Sequence, residues 1–110
     1  MADTYVTVAR DADVVENGLT RVEVDQKPVI LTRVNGRIYA LSGICTHEFA
    51  ELAEGEVDDD TIWCPLHASG FSVFSGEATD PPAEEPLDVY DVRVVDGDVQ
   101  VSITPHAGLR

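Results

Sequence analysis

The sequence is short of cysteine, of positive charge and of long apolar runs. Its 110 residues contain two cysteines, Cys45 and Cys64, too few for a disulfide-stapled secreted scaffold. Seven Lys and Arg face 21 Asp and Glu, a net charge of −14. That balance argues against nucleic acid and anionic membrane as partners and favours a soluble partner with a basic face. Self-repulsion at this charge favours a monomer. No apolar stretch approaches membrane-spanning length. The N-terminus lacks the basic region and apolar run of a signal peptide. A soluble, cytoplasmic protein is the expectation, and there two cysteines read as ligands or free thiols. A dinucleotide fingerprint of the G-x-G-x-x-G kind is also absent.

At this length the chain is one domain with a small core, which a bound metal centre would help to hold. The pattern predicts an all-β fold. Thr4–Ala9, Thr20–Asp25, Pro28–Val34 and Arg37–Ser42 are short and rich in β-branched residues, with turn signals between them. Near the C-terminus Leu87–Asp96 and Asp98–Ile103 alternate, so each is expected to bury one face. Asn35-Gly36 and Asp96-Gly97 are two-residue hairpin signals. From Gly43 to Gly76 the strand signals shrink to Thr61–Cys64 and Phe71–Phe74. Glu48–Gly55 has the length of one helical turn and cannot stand alone as a helix. Thr79–Pro86, with Pro81, Pro82 and Pro86, reads as an extended loop. The expected organisation is an antiparallel β sandwich base, from about 1–42 and 77–110. A subdomain of two loops and a small hairpin, about 43–76, is inserted into it.

Both cysteines and two of the three histidines fall in the inserted stretch, as Cys45-x-His47 and Cys64-x-x-His67. Thiolate and imidazole bind soft and borderline metals at neutral pH, and each pair can reach one site from a single tight loop. Three readings compete. A structural zinc site uses the same residue types, but its usual finger spacing groups two Cys and then two His. A disulfide leaves both histidines unexplained and needs an oxidising compartment. A [2Fe–2S] centre with two thiolates on one iron and two imidazoles on the other suits the interleaved order, because each loop then gives one ligand to each iron.

The pattern C-T-H-x4-L-x2-G, followed by C-P-L-H and then Phe and Gly, resembles the Rieske-type signature. Cys45, Thr46, His47, Leu52, Gly55, Cys64, Pro65, Leu66, His67, Phe71 and Gly76 carry it, over about a third of the chain. The small size is similar to that of the Rieske ferredoxins serving multicomponent ring-hydroxylating dioxygenases. The resemblance implies a Rieske-type sandwich, one [2Fe–2S] cluster, Cys45 and Cys64 on the inner iron, and His47 and His67 on the outer, solvent-facing one. It implies a one-electron carrier rather than an enzyme, without catalytic residues of its own. Its implied partners are an NAD(P)H-dependent flavoprotein reductase and a terminal aromatic-ring oxygenase. Only His106 remains outside the cluster, so no separate two-His-one-carboxylate iron site is available.

Departures from the family pattern carry information. Ala68 stands where many relatives have Gly, and Gly70 is the candidate to take over that turn. There is no third cysteine for the disulfide of high-potential members. The Ser of those members has a counterpart in Ser69, whereas their Tyr is replaced by Phe71. A low-potential centre is expected, near the lower end of a Rieske range of about −150 to +300 mV. Trp63 and Phe71 read as packing that keeps water from the inner iron, and the proline loop as a cover for the cluster. The alternatives to the ferredoxin reading are the small Rieske-like subunit of an assimilatory nitrite reductase and a zinc-binding interaction module. No Lys or Arg lies between Ile38 and Val92, while thirteen acids do, seven of them from Glu48 to Asp60. That run reads as a solvated face or as a docking surface.

Overall fold

The computed structural model describes residues 4–46, 50–65, 69–80 and 85–105. In chain order its strands are β1 (Tyr5–Arg10), β2 (Thr20–Val24), β3 (Lys27–Val34), β4 (Arg37–Ser42), β5 (Glu56–Asp58) and β6 (Thr61–Trp63). They continue with β7 (Gly70–Ser72), β8 (Ala78–Asp80), β9 (Val89–Tyr90), β10 (Val92–Val95) and β11 (Asp98–Ser102). They form three sheets, ordered β1-β11-β10, β2-β3-β4-β9 and β5-β6-β7-β8. The pairings within them are antiparallel.

Strand β3 joins the two cores. Its Val29 and Leu31 pack with Val24, Ala40, Val99 and Val101, the interior between the first two sheets. Its Ile30 and Val34 turn the other way, into a core shared with Leu41, Ile62 and Phe71. Both faces of the strand are covered, which explains its nearly unbroken apolar sequence. On the second of these faces, Thr32 is fully buried and its hydroxyl finds no hydrogen-bond partner among the described residues.

Two hairpins follow the sequence signals. Val34 pairs with Arg37 across Asn35 and Gly36, both left-handed at φ 54° and 83°. Asp96 and Gly97 repeat this at 52° and 82°, the twist that matches two flanking strands. A third left-handed pair, Asp25-Gln26 at 53° and 68°, joins β2 to β3 without a glycine and is not visible as a motif.

The expected strand Leu87–Asp96 is divided. Its first part, β9, pairs with β4, and its second, β10, pairs with β11 in another sheet. Strand β10 does not bury one face. Arg93, Val94 and Val95 are exposed, and β10 is an edge with β11 on one side only. Strands β5 and β8 lie in stretches too short and polar to show a period. The helical turn expected in Glu48–Gly55 is a short 3-10 turn over Leu52–Glu54, and Leu52 is its buried residue.

Candidate metal centre

Strands from two different sheets deliver the two thiols. Cys45 follows the end of β4 and Cys64 follows the end of β6. Both are buried and neither forms a disulfide. They share one apolar core with Leu41, Leu52, Ile62, Phe71 and Leu87. Nineteen positions apart in sequence, the cysteines are brought into one core by the folding of the segment after β4.

The loops that follow them close in the same way. The Cys45 N–H donates to the Ala50 carbonyl at 2.8 Å, and the Cys64 N–H to the Ser69 carbonyl at 2.8 Å. One step out, Ile44 bridges Glu51 and Trp63 pairs with Gly70. Each loop is therefore pinned at its neck by an antiparallel pair, with a cysteine just inside. His47 comes two residues after its cysteine and His67 three after. Both histidines, with Leu66 and Ala68, lie outside the described residues. The same is true of Pro81, Pro82 and His106.

Three other signature residues have steric or hydrogen-bonding reasons. A Cβ on Gly55 would stand 1.9 Å from the Trp63 carbonyl oxygen, so that close approach requires glycine. Gly76 combines φ +80° with the Leu87 carbonyl oxygen 2.3 Å from where a Cβ would be, and the Leu87 N–H donates to the Gly76 carbonyl at 2.7 Å. Thr46, between Cys45 and His47, donates its hydroxyl to the Glu85 carbonyl at 2.8 Å. The described end of the proline loop is thus fastened to the first ligand loop.

The expectations about packing divide. Phe71 is fully buried beside the thiols. Trp63 is only half-buried, and its backbone is what fits against Gly55. Gly70 opens strand β7 rather than serving as a turn. Ser69 is buried, and its carbonyl closes the second loop.

The acidic run is not one face. Glu51 lies at the neck of the first loop and pairs with Arg21 of β2, Oε1 to Nε, at 2.9 Å. Glu51 chiefly, and Glu23 less, raise the Arg21 guanidinium above its already high ordinary value. Asp58, Asp59 and Asp60 form the β5–β6 turn, at the opposite end of β6 from Cys64. Asp59 and Asp60 line a cavity of about 310 Å³ together with Val34 and Asn35. Val34 ends β3 and Asn35 is in the turn before β4, at the opposite end of β4 from Cys45. Sequence reasoning missed the Arg21 contact, since no local pattern links residues 21 and 51.

Two buried thiols in an apolar core, each heading a closed loop that also carries a histidine, suit a mixed thiolate–imidazole cluster. The family model of the Rieske [2Fe-2S] domain matches residues 4–91. The chain is 42% identical over 94 residues to the 3-phenylpropionate/cinnamic acid dioxygenase ferredoxin subunit of Shigella flexneri serotype 5b (strain 8401), covering 84% of this chain and 87% of that one. It is 37% identical over 78 residues to the anthranilate 1,2-dioxygenase ferredoxin subunit of Burkholderia cepacia, covering 71% and 72%. Its fold superposes on a chain of the solved complex of reduced oxygenase and oxidized ferredoxin in carbazole 1,9a-dioxygenase. The TM-score is 0.87 at 33% identity, over 99% of this chain and 100% of that one. From its paired ligand loops, its antiparallel sandwich and these likenesses, the chain belongs to the Rieske [2Fe-2S] domain family, and its cofactor is one [2Fe–2S] cluster.

Proposed function

We propose that this protein is a one-electron carrier of the cytoplasm. It takes electrons from an NAD(P)H-dependent flavoprotein reductase and gives them to a terminal aromatic-ring oxygenase. The likeness to dioxygenase ferredoxin subunits over most of the chain supports the carrier role. The observation that carries the site is the equivalence of the two loop necks, Cys45 to Ala50 and Cys64 to Ser69.

In this reading Cys45, His47, Cys64 and His67 hold the cluster, which supplies a one-electron redox couple when bound. Cys45 and Cys64 would hold one iron as thiolates from within the apolar core, and His47 and His67 would hold the other as neutral imidazoles. Leu52, Ile62, Phe71 and Leu87 exclude water from the thiolate side, which lowers the local dielectric. Phe71 offers no hydroxyl to sulfur, and one fewer hydrogen bond favours the lower part of the Rieske potential range. The cluster-binding unit, expected over about 43–76, extends to about residue 80, because β8 completes the sheet of β5, β6 and β7; the rest of the chain forms the base.

The experiment is reconstitution. The purified protein, reduced by NAD(P)H through a flavoprotein reductase, is mixed with a ring-hydroxylating oxygenase. Reoxidation coupled to aromatic hydroxylation is expected. A colourless zinc protein, or electron delivery only to a nitrite-reducing complex, overturns the reading.

A further inference from the structure

The stretch that carries the ligands contains no Lys or Arg of its own, yet one cation reaches it. Among the described residues, Arg21 is the one Lys or Arg ion-paired to an acid of residues 43–76. Its Nε lies 2.9 Å from Glu51 and its Nη1 3.5 Å from Glu23. Arg10 and Arg33 pair with Asp98 and Asp11 instead.

The position of Arg21 follows from strand register. Arg21 pairs with Ile30 across β2 and β3, and Ile30 with Leu41 across β3 and β4. Directly opposed residues share a face of the sheet. Ile30 and Leu41 face the core that holds Cys45 and Cys64, so Arg21 projects to the same side. Glu51 bridges Ile44, the residue before Cys45. The ion pair therefore sits against the neck of the first ligand loop, one residue from the bond between Cys45 and Ala50.

We propose that Arg21 is a positioning and charge-balancing residue for the redox site, acting through Glu51. This inference rests on the cluster assignment above. Reduction adds one negative charge to the site. Carboxylates held nearby oppose that charge, and a cation held nearby favours it. Arg21 offsets Glu51 and Glu23 at the neck of the loop that carries Cys45. The side chains are partly exposed, so the effect is screened and grows as ionic strength falls.

The test is the midpoint potential of the holoprotein at low salt, with cluster spectra recorded for every variant. Arg21→Gln is expected to shift the potential downward and Glu51→Gln upward. Arg21→Lys is expected to stay near the original value, and the double substitution Arg21→Gln/Glu51→Gln to return towards it. A pair that only braces the loop gives no such opposition of sign, because either single loss loosens the same contact. Intact spectra with unchanged potentials, or with both single variants shifted in one direction, overturn this inference alone. An unsubstituted protein without a Rieske spectrum overturns it together with the cluster assignment.

Discussion

Cys45 and Cys64 occupy equivalent places in two loops closed by the same bond, an N–H donated at 2.8 Å to the carbonyl five residues ahead. The equivalence extends outward to the pairs Ile44–Glu51 and Trp63–Gly70. It stops at the histidines, which sit at different steps within their loops. Similar necks formed by backbone bonds hold two thiols in one core.

The two signature glycines are required by close backbone approach. Gly55→Ala sets a methyl against the Trp63 carbonyl, and Gly76→Ala sets one against that of Leu87 at a left-handed φ. Each is expected to cost about 1–3 kcal/mol or more, the usual scale of overpacking. Urea unfolding of the two variants checks this. An unchanged midpoint for either shows that the backbone there has room to move.

Thr32 offers the opposite case. Its buried hydroxyl has no partner among the described residues, and an unsatisfied buried polar group costs about 1–3 kcal/mol. Thr32→Val keeps the shape and removes the hydroxyl. An increase in thermal stability is expected, measured by calorimetry, with the cluster spectrum unchanged.

Tyr90 sets an alkaline limit. Burial first, then the charges of Asp88 and Asp25, raise its phenol above the ordinary value of 10.0. The folded state thus holds the proton more tightly than the unfolded chain. The resulting stability is complete below the unfolded value and is lost as pH rises through the folded one. Tyr90→Phe is expected to flatten the decline of stability above about pH 10, and equal slopes for the two proteins exclude the effect.

Asp58, Asp59 and Asp60 lie at the end of β6 away from Cys64. Replacing all three with Asn is expected to leave the rate of electron transfer to the oxygenase nearly unchanged at low salt. Stopped-flow reoxidation measures it. A steep loss of rate makes the β5–β6 turn part of the docking surface, contrary to its placement here.

Much of this was legible in the sequence, for identifiable reasons. The hairpins at Asn35-Gly36 and Asp96-Gly97 were readable because left-handed residues restrict side-chain choice. The ligand loops were readable because thiol and imidazole are rare and their spacing is local. Less was visible where tertiary contacts decide. Asp25-Gln26 turns without glycine. Residues 87–96 alternate as one strand but change sheets at Asp91. Strand β10 keeps an alternating sequence while exposing Val94 and Val95. The acids from 48 to 60 look like one run, but the β5–β6 hairpin carries three of them to the far end and Arg21 neutralises another. Pairing between residues 21 and 51 depends on strand register, which no short motif records.

The most direct test of the central claim is metal and ligand analysis of anaerobically prepared protein. Iron and acid-labile sulfide are expected in equal amounts, with a reduced-state EPR signal showing nitrogen coupling. Each of His47→Ala and His67→Ala is expected to abolish that signature, as is each of Cys45→Ser and Cys64→Ser. Zinc in place of iron, or an iron–sulfur signal that survives loss of either histidine, contradicts the account.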